Sequence, residues 1–255
     1  MALDLTAIKN KLTQLNKQDD KKQNLWKPEA GKTRVRIVPY IHRKDNPFLE
    51  LYFHYDIAKR SMLSPITFGN SDPIVEFAEK LKKTGDKDEW LMGRKIEPKM
   101  RTYVPVIVRG KESEGVKFWG FGKQIYTELL SIVSDDDYGD ITDLMTGRDI
   151  DVEFTPAASA DAFPKTTIRV KPNATAATED KAIAEKIMNQ PLITDIFPEP
   201  TYEELEKALA EWMNPENADD VVTEEPSNKV TTKTTKPETE KVTDVASAFN
   251  DLFNS

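Results

Sequence analysis

Cysteine is absent from the 255 residues, which excludes disulfides, thiolate metal ligands and cysteine redox chemistry while leaving the compartment open. Histidine occurs only as His42 and His54, and neither stands in the context of a serine or cysteine nucleophile. No glycine-rich loop of the kind that cradles phosphates is present, and no internal repeat is visible. Nor does any window approach the roughly 18 apolar residues that a membrane span needs, and the N-terminus has no continuous apolar stretch of the signal-peptide type. The expectation is a cytoplasmic protein with no membrane partner.

What is present is uneven charge. The net charge is -8, which on average disfavours a polyanionic partner. By segment, however, residues 1–25 carry +2, 26–127 carry +7, 128–172 carry -6 and 173–255 carry -11. A basic body followed by an acidic rear is the asymmetry expected of a polyanion binder with an interaction tail. The 38% hydrophobic content supports a core without saturating the chain.

Three regions follow from pattern and composition. In residues 1–25, Leu5, Ile8, Leu12 and Leu15 recur at spacings of three and four, as on one face of a short amphipathic helix, and a polar stretch separates them from Trp26. This helix either packs on its own domain or docks on another copy of the chain. Residues 26–214 hold the core, and 215–255 are rich in Thr, Lys, Glu, Asn and Pro, too poor in core formers to offset their ordering entropy. That tail ends in Phe249, Asp251, Leu252 and Phe253, an acidic-aromatic peptide suited to a basic groove on a partner.

Within the core, alternating apolar and polar residues with Gly, Pro and Asp punctuation place strands near 33–40, 49–57, 101–109, 116–121, 149–154 and 166–171. Asp72-Pro73 is a helix start, followed by the stripe Ile74, Phe77 and Leu81. Ile125, Leu129, Ile132 and Val133 mark a second helix. Helical periodicity returns around 178–189 and 201–213, where Thr201 and Glu204 have capping-box spacing. The fold class is mainly β with added helices, that is α+β.

Side chains alternate across a strand. On 101–109, Thr102, Val104, Val106 and Val108 suit a core, while Arg101, Tyr103 and Arg109 face the other way. Read in the same manner, Val116 and Phe118 oppose Lys117, Trp119, Phe121 and the following Lys123, and Thr33, Val35 and Ile37 oppose Arg34, Arg36 and Tyr40. Three strands thus pair an apolar face with one bearing cations and aromatics. Cations hold phosphates and rings stack on bases without regard to sequence, so the pairing suits a single strand of nucleic acid.

The order of these segments resembles the single-stranded-DNA-binding proteins of T-even-like bacteriophages. The resemblance rests on Leu25-Trp26-Lys27-Pro28, Gly31-Lys32 and Val35-Arg36-Ile37-Val38-Pro39, then on Lys99-Met100-Arg101-Thr102-Tyr103 with Val106-Ile107-Val108, and on Lys117-Phe118-Trp119-Gly120-Phe121-Gly122-Lys123. It runs on to the acidic-aromatic C-terminus. It implies an oligonucleotide-binding (OB) barrel with a small helical subdomain, and a cleft of cations and stacked rings in which Tyr103, Trp119, Lys99, Arg101, Lys117 and Lys123 hold family positions. It further implies helix-destabilising, cooperative coating of single-stranded DNA in replication, recombination and repair, with other copies and replication or recombination proteins as partners.

The chain departs from the family in three places. Asn173–Ala177 lacks the two aromatics expected after the last strand. The basic-then-hydroxyl N-terminal sequence linked to cooperativity is not reproduced. Family members of the better-known kind hold zinc through one histidine and three cysteines; here Asp72-Pro73-Ile74-Val75 takes the place of a cysteine pair and only His54 remains. A single imidazole cannot make a tetrahedral site, so the expectation is no zinc and no other cofactor, with Ile74, Phe77 and Leu81 packing in its stead.

Two other readings compete. Asp149, Asp151 and Glu153, with Asp135, Asp136 and Asp137, could bind magnesium in a nuclease, although solvated acidic turns are commoner. Alternatively the chain is an acidic scaffold or adaptor whose sheet aromatics meet protein.

Overall fold

The computed structural model describes residues 23–213, apart from 44, 59, 160 and 161. Leu5, Ile8, Leu12 and Leu15 and the peptide around Phe249–Phe253 therefore lie outside the described residues. The described chain divides into two units, one holding residues up to Glu50 with Arg101–Pro198, the other Leu51–Met100 with Glu199 onward. Among the described residues no helix is long and apolar enough to cross a membrane.

The first unit is a strand path. In chain order its strands are β1 (Leu25–Trp26) and β2 (Gly31–Ile37), then, after the excursion through β3 (Leu49–Ile57) and β4 (Arg60–Leu63), β5 (Lys99–Val108), β6 (Lys117–Phe121), β7 (Arg148–Thr155) and β8 (Lys165–Ala174). They lie side by side as β1-β6-β5-β2-β7-β8, antiparallel except for the parallel β1–β6 pair. Taking β2, β5, β6, β7 and β8 as strands one to five, the spatial order is 3-2-1-4-5, with a helix between the third and fourth. This is the arrangement of an OB-like fold, here open and dominated by its sheet.

The expected strands thus form, each within a few residues of its anticipated ends. Valine and isoleucine at alternate positions account for them: Val35, Ile37, Val104, Val106, Ile150 and Val152 are all fully buried, and the registers Ile37↔Val106 and Val35↔Ile150 put them on one face. Between β6 and β7 lies the helix Lys123–Val133, buried along Ile125, Tyr126 and Leu129. Two shorter helices, Lys181–Met188 and Ile193–Ile196, close the unit.

The second unit is mostly helical. In chain order the helices with both ends among the described residues are α1 (Pro73–Lys83), α2 (Lys87–Ile96), α3 (Lys123–Val133), α4 (Lys181–Met188), α5 (Ile193–Ile196) and α6 (Tyr202–Met213); α1, α2 and α6 belong to this unit. Asp72 caps α1, its carboxylate accepting from the amides of Ile74 and Val75, and Pro73 supplies the preset first-turn φ. Thr201 and Glu204 form the anticipated capping box at α6, each backbone amide donating to the other's side chain at 3.0 and 3.2 Å. Ile74, Phe77 and Leu81 pack with Ile57, Ile96, Leu205 and Leu209. No clear periodicity announces helix α2; its stripe is thin because Gly93 stands where α1 comes closest. A Cβ there would meet the Ala78 carbonyl oxygen at 2.7 Å.

Candidate nucleic-acid interface

Strand β5 presents the face its sequence indicates. Arg101 is exposed and Tyr103 half-buried, while Thr102, Val104 and Val106 between and beyond them are buried. The Tyr103 ring lies across the neighbouring strand, where Gly120 is its register partner. A Cβ at Gly120 would sit 2.6 Å from the Tyr103 Cε1 atom, so a side chain there would displace the ring. The ring also meets Phe197, with centroids 4.9 Å apart and planes tilted by 52°. Arg101 reaches beside Gly122, its Nη1 3.3 Å from where a Cβ would stand, and Lys123 follows, exposed at the first position of α3. Arg101, Tyr103, Phe197 and Lys123 thus place two cations and two half-buried rings along the β5–β6 strands. Phe197 carried no signal in the sequence, because it closes a single-turn helix with no periodicity.

Strand β6 corrects the expected faces. The register Val104↔Trp119 and Thr102↔Phe121 places the odd residues of β6 with the even residues of β5, and directly opposed residues share a face. Trp119 is accordingly 1% exposed and Phe121 is buried with it. Trp119 packs edge-on against Trp26, at 5.6 Å, and against Phe121, at 4.7 Å. Neither ring offers a face to a base. Alternation within one strand shows which residues share a side; which side is inward depends on the register, and that is a tertiary property.

Lys117 is mostly covered and ion-paired with Glu114. Lys99 is exposed at the start of β5, in the portion belonging to the second unit. Two expected positions on and after β2 are also buried. The Arg36 guanidinium, 0% exposed, donates to Asp149 at 2.9 Å and to the Thr175 carbonyl at 2.7 Å; burial outweighs Asp149 and pulls its pKa down. Tyr40 accepts from the Ile193 amide at 3.1 Å and packs on Phe118, and its burial pushes the phenol pKa up. The hydrogen-bonding partners lie 113 to 153 residues further along the chain, so no local pattern in β2 announces them. Arg34 remains half-exposed, its Nε 2.8 Å from Asp151.

Two of the carboxylates that could have suggested a nuclease, Asp149 and Asp151, are neutralised by cations. Asp149 pairs with Arg36 and Arg109. Asp151 accepts Lys32, Arg34 and Lys171; burial by itself would raise its pKa, but hydrogen bonds from Lys171, Arg34 and Lys32 hold the carboxyl far below the usual range.

The residues at the family's zinc position do not fit the metal. His54 is fully buried with both ring nitrogens engaged, Nδ1 at 2.9 Å from the Ile96 carbonyl and Nε2 at 2.8 Å from Asp72 Oδ2. Asp72 also accepts from Ser64 Oγ while capping α1. Among the described residues no group of three or more His, Asp or Glu side chains converges as a metal site.

Residues 29–214 match a family model described as gp32 DNA binding protein like. No curated protein matches the chain.

Proposed function

From the premise that the chain belongs to the gp32-like family of DNA-binding proteins, we propose that it coats single-stranded DNA without sequence preference, as a non-enzymatic protein of phage DNA replication, recombination and repair. The observation that carries this reading is Tyr103 laid over Gly120, in contact with Phe197, with exposed Arg101 two residues before it. A ring held in place by a glycine and a second ring loses little conformational freedom on stacking a base, and the guanidinium is free to hold the adjoining phosphate. Lys123 extends the cationic ground, Arg34 and Lys117 contribute as far as Asp151 and Glu114 release them, and Trp119, Phe121, Tyr40 and Arg36 support the site from within.

Cooperative coating would come from Leu5, Ile8, Leu12 and Leu15 docking on a neighbouring copy, and contacts with replication or recombination proteins from Phe249, Asp251, Leu252 and Phe253. The protein works without zinc in the cytoplasm of the host, the His54–Asp72–Ser64 hydrogen bonds taking the metal's structural place.

Anisotropy of a labelled homopolymeric DNA strand, titrated with the full chain in the presence of excess duplex, tests the reading. Saturable binding that duplex fails to compete away is expected. Absence of binding, or equal competition by duplex, would overturn it. Deleting residues 1–18 should reduce binding to long strands and spare short ones; equal losses on both would place the helix in the domain core.

A further inference from the structure

A second cationic surface lies on the same unit, away from Tyr103. The registers Lys32↔Glu153↔Thr167 and Arg34↔Asp151↔Arg169 align these residues across β2, β7 and β8. Val35, Ile150 and Val152, one residue out of phase, are fully buried on the opposite face. One carboxylate organises the charged face: Asp151, its side chain 3% exposed, stands 2.9 Å from Lys32 Nζ, 2.8 Å from Arg34 Nε and 2.9 Å from Lys171 Nζ. A single carboxylate balances one of these three. Arg169 and Lys165 are exposed on the same alternation of β8, with no ion-pair partner among the described residues. Glu153 is the one other acid in these rows. Asp149, on the same alternation of β7, is taken up by Arg36 and Arg109; the five remaining cations therefore share a face with two carboxylates, Asp151 and Glu153, an excess that ordinary ion pairing would not need.

The loop that joins β7 to β8 adds an aromatic. Phe163 is 93% exposed, two residues before Lys165. A lone exposed apolar side chain is unremarkable by itself. This one stands on the connection between the fourth and fifth strands of an OB-like unit, a loop such folds use against oligonucleotides, at the end of a cationic ladder.

We infer that the face of Lys32, Arg34, Lys165, Arg169 and Lys171, with the Phe163 ring, is a second contact surface for single-stranded DNA, separate from the Arg101–Tyr103 region. The inference rests on the single-strand reading above. Excess positive charge selects a polyanion, and the exposed ring selects one with unstacked bases. Asp151 sets the stems of Lys32, Arg34 and Lys171 in advance, so less of their freedom is lost when phosphate arrives.

The test uses the full chain, a homopolymeric DNA strand of about 25 nucleotides, longer than the span of one OB unit, and affinities measured across a range of salt. The double variant Lys165→Ala/Arg169→Ala touches exposed side chains only. Its plot of log affinity against log salt should be flatter than that of the unsubstituted chain by roughly 0.7 for each phosphate no longer neutralised. Phe163→Ala should bind roughly 5- to 150-fold more weakly with the slope unchanged, the fold-change corresponding to loss of one stacked base. If both variants match the unsubstituted chain at every salt concentration while Arg101→Ala flattens the slope, the second surface is wrong, the first stands, and this face serves a partner of other chemistry. If the unsubstituted chain fails to bind the strand at all, both readings fall.

Discussion

Gly120 and Tyr103 are register partners on adjacent strands, and the ring of one occupies the space a side chain of the other would need, at 2.6 Å from an added Cβ. Gly120→Ala should therefore move the ring while leaving the sheet intact, and should weaken single-strand binding nearly as much as Tyr103→Ala. Paired titrations of the two variants, with circular dichroism to verify folding, check this. Normal binding by Gly120→Ala would show that the ring's position does not matter.

Trp119 belongs to the core, so Trp119→Ala should lower stability by about 3–5 kcal/mol, the range for a large buried aromatic. Urea unfolding measures this. Trp119→Phe, which keeps a ring against Trp26 and Phe121, should bind DNA as the unsubstituted chain does. A well-folded Trp119→Phe protein with poor binding would return this residue to the interface.

The contrast between Tyr103 and Trp119 shows how far the residues alone could be read. The strand positions, the cap at Asp72, the box at Thr201 and Glu204 and the polar side of β5 were legible, because each depends on neighbours within a few positions in the chain. The inward side of β6 was not, since it follows from pairing Val104 with Trp119. Arg36 looked like Arg34 in sequence, and only Asp149 and Thr175, more than 110 residues away, separate the buried guanidinium from the exposed one. The cationic face of β2, β7 and β8 has no local signature for the same reason: Lys32, Arg169 and Lys171 come together only through the sheet.

Asp72 makes stability depend on acid. Burial opposes its ionisation, yet hydrogen bonds from His54 and Ser64, with the amide of Val75, hold its pKa below the ordinary 3.8. A depressed carboxyl pKa contributes stability that is complete above the unfolded value and is lost as pH falls through the folded one. The urea midpoint should accordingly drop below pH 3.8. Asp72→Asn keeps a capping oxygen but cannot accept at both positions, so it should cost about 1–3 kcal/mol at neutral pH, as for an unsatisfied buried group, and should remove that part of the acid dependence. An unchanged midpoint at neutral pH would contradict the role given to the His54–Asp72 contact.

With both His54 nitrogens already engaged, purified protein should carry no stoichiometric zinc, and its thermal midpoint should be the same with and without chelator. Elemental analysis showing one zinc per chain would refute the zinc-free reading.

The salt dependence of single-strand binding by Arg101→Ala and Tyr103→Ala tests the central claim most directly, because the two side chains act through different physics. Loss of Arg101 should flatten the slope of log affinity against log salt by roughly 0.7. Loss of Tyr103 should cost on the order of 1–3 kcal/mol with the slope unchanged. If both folded variants bound with the affinity and slope of the unsubstituted chain, the β5–β6 surface would not be where this protein holds DNA.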